Sequence, residues 1–451
     1  MSTATARLLA MMDDDDPFGH APGEIVPLQL AAIDERLAER RTQIRVLDQR
    51  AKDIGTGGIS TLADLVPLLF SHTTYKSYPE AFLRDGRWDR MSLWLSTLST
   101  HPIAGVDLAG VADIDEWMNR LHAAGHYVVS SSGTSGKCSL LNQSAADKDA
   151  TSRVVQAVLR WVFGMDPAQD RPCFLFSPSR GAHRFVDCFS VIGSLYGRPG
   201  GVHYLSDRPA LASENNRLGS LRRAIADGRA TPSQITELET FAAERQGEMV
   251  AAMDRLVALI HAHRHEPIVI FAMWSQHWQL IEALRARGVP DGDFHPDSAM
   301  LVGGGLKGAA LPDGYEAEIR AFYGHPDRFQ NAYGMAELTS FWFPSCTARR
   351  HHVPPWVVPL VLDKAGEQLL NPPVGAGGQV NGRMALFDVS VDARWGGIIT
   401  GDNVDVDFSP CTCGRPSPTI MSIVRYTDLP EGDDKLTCAG TMDSYVRGVM
   451  S

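Results

Sequence analysis

The stretch that decides the fold is Ser130-Ser131-Ser132-Gly133-Thr134-Ser135-Gly136-Lys137, which follows the apolar, β-prone residues His126-Tyr127-Val128-Val129. Glycines let a backbone bend until several N–H groups converge on an anion, hydroxyls add donors, and the lysine adds positive charge. The loop is therefore suited to hold the phosphates of a nucleotide. Its spacing is not that of a Walker A loop, because only two residues separate Gly133 from Gly136. A flexible Ser/Gly linker is the alternative interpretation.

The segments around this loop alternate between short apolar strands and amphipathic helices. Helices are predicted over 148–163, 233–264, 275–287 and 312–323, and strands over 173–176, 268–272 and 300–302. This alternation predicts an α/β fold, a large layered domain with mostly parallel sheets. From Trp356 onward, short alternating strands with glycine turns predict a smaller β-rich subdomain.

Ligands of such folds bind at the carboxyl ends of the strands. His183, Trp274, Gly303 and Tyr333 each follow a predicted strand. We therefore expect them to surround one cleft together with the Ser/Gly loop. An acid-binding pocket is expected between residues 179–185, residues 274–276 and the glycines 303–305. His183 is the sharpest candidate there for contact with a substrate, although a packed histidine is an equal alternative. Trp274 and Phe185 hint at a flat or aromatic acid.

Composition places the chain among ordinary globular proteins and excludes several classes of partner. Its 451 residues are 44% apolar and 21% charged, enough for more than one domain. The net charge of −11 argues against nonspecific binding to nucleic acid or to an anionic membrane. No apolar run is long enough for a membrane span, and the acidic N-terminus is unlike a signal peptide. Seven cysteines without disulfide-framework spacing suit the reducing cytoplasm.

The expected organisation has four parts. Residues 1–25, with the run Asp13 to Asp16, are expected to be a disordered tail. Residues 26–355 form the α/β region that binds nucleotide and acid, residues 356–430 the β-rich subdomain, and residues 431–451 a short tail.

Three motifs occur in order along the chain: Ser-Gly-Thr-Ser-Gly-Lys, then Tyr333-Gly334-Met335-Ala336-Glu337, then Thr400-Gly401-Asp402. Each alone has a plain structural explanation, because Tyr333 could be a core residue, Glu337 a solvated one and Asp402 a turn former. Together they resemble the adenylate-forming superfamily of acyl-CoA synthetases, adenylation domains and luciferases. The piece Cys411-Thr412-Cys413-Gly414-Arg415 resembles the phenylacetate-CoA ligase branch in particular. The resemblance extends from about residue 126 to the end of the chain.

The resemblance implies ATP-dependent activation of a carboxylic acid to acyl-AMP, followed by acyl transfer to CoA, a carrier thiol or a partner enzyme. It implies a catalytic role for Lys137 and Glu337, and Glu337 would also bind Mg²⁺. His183 is the third catalytic candidate. The implied ATP-binding residues are Ser132, Gly133, Thr134, Ser135, Gly136 and Lys137 at the phosphates, Gly303, Gly304, Gly305, Asn331, Ala332, Tyr333 and Gly334 at the adenine, Asp402 at the ribose, and Arg425 at the hinge that follows.

Two departures from the family pattern stand out. Ala336 occupies the position where the family usually has Thr or Ser, so one hydroxyl donor to the α-phosphate is missing, and Thr339 and Ser340 are the nearest replacements. The small C-terminal domain with its late lysine is expected to be absent, because the last lysine, Lys435, comes too early to take that role. In length the chain resembles truncated members of the family that act in secondary metabolism.

A zinc site is expected beside the nucleotide. Cys346, His352, Cys411 and Cys413 offer three thiolates and one imidazole, the ligand set of a closed structural site. His352 is preferred to His351 because it adjoins the segment Val-Pro-Pro. The alternative is a set of free cytosolic thiols.

The rival of the enzyme hypothesis is a nucleotide- or acyl-adenylate-binding protein of the same fold with little turnover. A P-loop phosphotransferase is disfavoured by the loop spacing. The expected partners are ATP, a small carboxylic acid and an acyl acceptor, which is CoA or a protein, and a homodimer is kept as an option. Nucleic acid and membranes are not expected partners.

Overall fold

The computed structural model describes residues 3–131, 137–306, 310–430, 432, 434, 436, 445 and 446. The chain forms two compact units that are interleaved in sequence. Unit 1 consists of Met1–Val129, Ser139–Ala157 and Met335–Ser451, and unit 2 of Ser130–Cys138 and Val158–Gly334. Residues 132–136 of the predicted phosphate loop lie outside the described residues.

The described residues contain helices of very different length. They are α1 (Ala4–Ala10), α2 (Pro22–Arg40), α3 (Arg45–Asp53), α4 (Leu62–Leu65), α5 (Glu80–Arg84), α6 (Trp88–Thr97), α7 (Ile114–Ala123), α8 (Ala145–Phe163), α9 (Arg184–Tyr196), α10 (Ala212–Ala226), α11 (Pro232–His263), α12 (Trp274–Ala286) and α13 (Tyr315–Tyr323). Among them, none combines the length and the apolar character needed to cross a membrane.

The strands are mostly short. They are β1 (Phe70–Ser71), β2 (Val129–Ser130), β3 (Leu140–Leu141), β4 (Arg171–Pro178), β5 (Gly197–Ser206), β6 (Val269–Ala272), β7 (Ala299–Gly303), β8 (Phe329–Tyr333), β9 (Phe343–Pro344), β10 (His351–His352), β11 (Val357–Leu362), β12 (Gln379–Asp388), β13 (Gly397–Asp407) and β14 (Thr419–Arg425).

Unit 2 is built on a parallel sheet in which β5, β4, β6, β7 and β8 are neighbours in that order. The central strands β6 and β7 are almost wholly buried, because apolar runs such as Val269-Ile270-Phe271 are covered by helices. Leu256, Val257 and Ile260 at the end of α11 pack into the same core. The prediction of an α/β fold with a mostly parallel sheet is confirmed.

Unit 1 contains the β-rich part. Strands β11, β12, β13, β14 and β10 form an antiparallel sheet in that order. Strand β1 adds to it in parallel, with Phe70 opposite Ile398 and Ser71 opposite Ile399 of β13. This places a segment from the first hundred residues beside the Thr400-Gly401-Asp402 motif, a pairing that two residues of strand do not reveal in a sequence.

The N-terminal segment differs from the expected disordered tail. Helix α1 begins after Thr3, and the Glu35 carboxylate accepts the N–H groups of Ala4 and Thr5 at 2.8 and 2.9 Å. Leu8 and Phe18 are buried within unit 1. The segment is thus ordered despite its acidic run, because its apolar side chains are buried in the core.

Candidate functional site

In unit 2 the Ser/Gly loop begins beside His183. The N–H of Ser130 donates to the carbonyl of Ala182 at 2.8 Å, and Ser130 pairs with His183 in a parallel bridge. At the other end of the loop, the N–H of Cys138 donates to Asn216 at 3.3 Å. The two ends of the loop thus lie beside the segment that follows β4 and beside α10, and Lys137, next to Cys138, is half-buried.

The glycines and Tyr333 lie at the ends of adjacent strands of unit 2. Gly303 of β7 is opposite Ala332 of β8, next to Tyr333, which is 8% exposed. Gly304 has a φ of +80°, a conformation that favours glycine, and is exposed. This arrangement leaves backbone accessible beside an aromatic ring, which suits a flat ligand such as adenine. Asn331 and Ala332 are half-buried, and Gly305 and Gly334 are exposed.

An aromatic cluster lies next to Gly303. The rings of Phe185 and Phe189 have centroids 4.2 Å apart, and Phe189 stacks on Phe271 at 4.1 Å. A Cβ on Gly303 would lie 3.0 Å from the Phe271 ring, so a larger residue here would require that ring to shift by a few tenths of an ångström. Trp274 is instead a core residue, because it is 3% exposed and stacks on Phe329. Phe189 and Phe271 are as buried as Trp274, so only the half-buried Phe185 of this cluster is accessible beside Gly303.

His183 has a structural role that the sequence did not show. Its Nδ1 accepts the N–H of Phe185 at 3.1 Å, and His183 is the N-cap of α9. This bond leaves Nε2 as the nitrogen that carries a proton in the neutral ring. Contact of His183 with a substrate stays a prediction.

In unit 1, Glu337 is held by residues that sequence reasoning missed. The Ser139 hydroxyl donates to Oε1 of Glu337 at 3.0 Å. The buried Arg394 donates to the Glu337 carbonyl at 2.7 Å and to the Asn142 carbonyl at 3.0 Å. The guanidinium also lies over the ring of Tyr75, and burial raises the pKa of this tyrosine. No local pattern predicts these contacts, because Ser139 and Arg394 are far from Glu337 in sequence.

The hydroxyls nearest to Ala336 in sequence do not take the place of the missing one. Thr339 and Ser340 are fully buried. The Thr339 hydroxyl donates to Oδ1 of Asp147 at 3.0 Å, and the N–H of Ser340 donates to Oδ2 of Asp388 at 2.7 Å. Both residues are therefore committed to buried carboxylates.

Asp402 of β13 and Arg425 of β14 are directly opposite each other in the antiparallel sheet, a pairing that the sequence did not predict. Their side chains are 3.7 Å apart, with Asp402 mostly buried and Arg425 exposed. Next to this pair, Asp434 accepts a hydrogen bond from the buried Arg383 at 2.6 Å and lies 3.3 Å from His72. Lys435 lies outside the described residues.

The four predicted metal ligands converge in unit 1. The ligand atoms of Cys346, His352, Cys411 and Cys413 all lie within 4.8 Å of one another. Cys346 Sγ is 3.7 Å from Cys411 Sγ, and Cys413 Sγ is 3.3 Å from His352 Nε2. Thiolates bound to one tetrahedral zinc ion at about 2.3 Å are roughly 3.8 Å apart, so the spacing fits zinc and is too long for a disulfide.

The surroundings of the cluster favour a neutral imidazole. Burial, with help from Arg415, lowers the pKa of His352 to about 4, and the Ser417 hydroxyl lies 2.7 Å from its Nδ1. Nε2 is thereby turned toward the cysteines. The Nδ1 of His351 instead lies 3.2 Å from the Phe343 carbonyl. The ring of Phe18 packs edge-on against His352 at 5.6 Å, so the N-terminal segment covers the cluster.

Comparison with known proteins gives a fold but no close relative. Neither a family model nor a curated protein matches the sequence. The fold is that of a 2-hydroxyisobutyryl-CoA ligase solved with 2-HIB-AMP and CoA, at a TM-score of 0.53 and 14% identity, covering 89% of this chain and 69% of the ligase.

More distant matches are ATP-bound MatB from Rhodopseudomonas palustris, with a TM-score of 0.39 and 17% identity over 67% of this chain, and McyG A-PCP with phenylalanyl-adenylate, with a TM-score of 0.37 and 12% identity over 68%. The chain spans about half the length of these two proteins, 48% and 49%.

Proposed function

We propose that this chain is an ATP- and Mg²⁺-dependent enzyme that activates a carboxylic acid as acyl-AMP and passes the acyl group to CoA, a carrier thiol or a partner enzyme. The observation that supports this best is the setting of Glu337, a half-buried carboxylate held by Ser139 and Arg394. It occurs in a chain with the fold of a ligase that was solved with an acyl adenylate.

The proposed reaction is one displacement at phosphorus. A carboxylate oxygen of the acid attacks the α-phosphate of ATP, and the bond to the β-phosphate oxygen breaks, so pyrophosphate leaves with the electron pair. Lys137 and the loop ahead of it would hold the β- and γ-phosphates, Tyr333 the adenine and Asp402 the ribose. Arg425, opposite Asp402, would stay close to the ribose.

Glu337 suits Mg²⁺, which is commonly bound by one or two carboxylates together with substrate phosphates. Mg²⁺ at this position would reduce the charge on the phosphates during the attack. The contribution of the chain is to hold the carboxylate in place, through the Ser139 hydroxyl at Oε1 and through Arg394 at the backbone.

An aromatic or other flat acid is the proposed substrate class. The half-buried ring of Phe185 lies beside Gly303 and is backed by the buried rings of Phe189 and Phe271. Such surfaces reward a flat apolar group more than a charged or branched one.

The proposal includes one structural zinc ion at Cys346, His352, Cys411 and Cys413, since three sulfurs and one nitrogen form a closed tetrahedral site. Zinc would connect the segment after Glu337 to the turn between β13 and β14. The branch of phenylacetate-CoA ligases, which the Cys-x-Cys piece resembles, is part of this proposal, and so is a reducing, cytoplasmic location, which keeps the thiols available.

The second candidate is a protein of this fold that binds nucleotide or acyl adenylate with little turnover. Ala336 favours it, because the hydroxyls of Thr339 and Ser340 are engaged elsewhere. Loss of a hydrogen bond to the α-phosphate lowers the rate of acid activation more than it lowers the affinity for ATP.

ATP–pyrophosphate exchange with a panel of aryl and alkyl acids separates the two candidates. Exchange that depends on one class of acid and is abolished in Glu337→Ala supports the enzyme. Glu367→Ala, which removes an exposed carboxylate of the same unit, is the matched control and should exchange at the wild-type rate. ATP binding without exchange for any acid supports the binding protein.

A further inference from the structure

Asp147, in the first turn of α8, joins three segments of unit 1. Its side chain is fully buried. Oδ1 accepts the N–H of Asp392 at 2.8 Å and the hydroxyl of Thr339 at 3.0 Å. Oδ2 accepts the N–H groups of Ser144 and Ala393, both at 2.9 Å. One carboxylate thus holds its own helix start, the segment after Glu337 and the loop between β12 and β13.

These contacts close a ring around Glu337. Thr339 comes two residues after Glu337, and Ala393 directly precedes Arg394. Arg394 returns to the Glu337 carbonyl at 2.7 Å and to the carbonyl of Asn142, just ahead of α8, at 3.0 Å. The backbone of Glu337 is therefore connected to Asp147 in two ways, through Thr339 and through Ala393 and Arg394.

We infer that Asp147 is a positioning residue that sets the orientation of the Glu337 carboxylate for its metal, through Thr339 and through the loop that carries Arg394. The inference rests on the proposed function, because it assigns Mg²⁺ to Glu337. The hydrogen bond from Ser139 to Oε1 forms only if the Glu337 backbone is in place, so the network sets the direction of the other oxygen as well. Groups that orient a metal ligand typically change metal affinity about 10- to 100-fold when they are removed.

A carboxylate is the only side chain that satisfies this position. Both oxygens accept a backbone N–H, and each N–H can only donate. The amide of Asp147→Asn would direct its NH₂ group at one of them in either orientation. Two donors would then face each other in a buried site, which is costlier than the loss of one hydrogen bond.

A second buried carboxylate supports the same segment. Asp388 accepts the N–H of Ser340 at 2.7 Å and the N–H of Ser390 at 2.9 Å. Loss of the Thr339 hydroxyl therefore removes its hydrogen bond to Asp147 but leaves that of Ser340 to Asp388. We expect Thr339→Val to have a smaller effect than Asp147→Asn.

Calorimetric titration with ATP, in Mg²⁺ and in EDTA, tests the inference on the full chain. The dissociation constant of ATP in EDTA, divided by that in Mg²⁺, measures how much the metal contributes to binding. We expect Asp147→Asn to lower this ratio about tenfold or more and Thr339→Val to lower it several-fold, with ATP affinity in EDTA unchanged within about twofold. Thr339→Ser keeps the hydroxyl and should keep the wild-type ratio.

Asp149→Asn is the matched control, because it makes the same change at an exposed position of α8 and should leave the ratio as it is. Hydrogen–deuterium exchange of residues 335–341 in the nucleotide-free protein is the second measurement. Exchange there should be faster in Thr339→Val than in Thr339→Ser. Thr339 variants keep the test decisive even where Asp147→Asn does not fold.

The outcomes distinguish the inference from the function on which it rests. A wild-type ratio well above one that Asp147→Asn and Thr339→Val leave unchanged, or unaltered exchange at 335–341, overturns the positioning role and leaves the proposed function standing. A wild-type ratio of one refutes Mg²⁺ at Glu337 and therefore the proposed function. Variants that weaken ATP binding equally with and without Mg²⁺ would show a general structural role instead.

Discussion

Replacing Ala336 by threonine should accelerate acid activation. The resemblance implies a hydroxyl donor to the α-phosphate at this position, and Thr339 and Ser340 cannot supply it because both are buried against carboxylates. Ala336 itself is half-buried rather than fully enclosed. A hydrogen bond to a charged group contributes about 1.5–3 kcal/mol. At 1.36 kcal/mol per factor of ten in rate, we expect an increase of roughly 10- to 100-fold.

The assay is ATP–pyrophosphate exchange at saturating ATP, with the acid that the wild type prefers. Ala336→Val is the matched control, because valine has the shape of threonine without the hydroxyl. We expect Ala336→Thr to be faster than the wild type and Ala336→Val to be no faster. Equal rates for threonine and valine would refute the missing-donor argument. Adding Glu337→Ala to Ala336→Thr should abolish the gain, since the proposed function places Mg²⁺ bound by Glu337 at the same phosphate.

Three further predictions concern the candidate metal cluster, a buried histidine and the glycine beside the phenylalanine cluster. Cys411→Ser should lose the bound zinc and melt at a lower temperature, by elemental analysis and scanning fluorimetry, whereas Cys188→Ser, at a buried cysteine outside the cluster, should keep the metal; zinc-free wild-type protein would contradict the site. Burial lowers the pKa of His277 to about 4, so as the pH falls below 6.5 the unfolded chain binds a proton before the folded chain does. Between pH 7 and 5 the wild type should therefore lose about 2 kcal/mol more unfolding free energy than His277→Gln in urea titrations, and parallel pH profiles would count against this. Gly303→Ala should cost about 1–3 kcal/mol of unfolding free energy, because its Cβ would lie 3.0 Å from Phe271, and an unchanged urea midpoint would show that the ring yields freely.

Helices with a clear apolar period were predictable to within a few residues. The prediction of 233–264 compares with Pro232–His263 in the structure, because a helix is specified by spacing within its own sequence. Thiols and imidazoles bind metal by their own chemistry, so the candidate metal ligands could be chosen from residue types alone. In the structure the ligand atoms of these four residues lie within 4.8 Å of one another, and metal binding stays a prediction.

The partners of Glu337 could not be predicted in the same way. Asp147 and Thr339 are 192 residues apart, and Asp147 and Asp392 are 245 residues apart. An aspartate at a helix start is ordinary in any sequence, since it caps the helix whether or not anything else contacts it. Its second role depends on which backbone N–H groups the fold places around it.

The structure of the N-terminal segment could not be predicted from its local sequence either. Its acidic run predicts disorder, because charge opposes burial. The structure places Phe18 against His352 and Glu35 at the start of α1. The energy that orders the segment thus comes from contacts with other parts of unit 1.

The sequence by itself determined the α/β fold class, the order of the three motifs and the choice of candidate metal ligands, because each of these depends on residue types at short separations. Only the tertiary structure decided which groups hold Glu337, that Thr339 and Ser340 are engaged with buried carboxylates, and that Trp274 is a core residue stacked on Phe329. The physical reason is that burial and hydrogen-bond pairing are set by neighbours in space, and these neighbours come from distant parts of the chain.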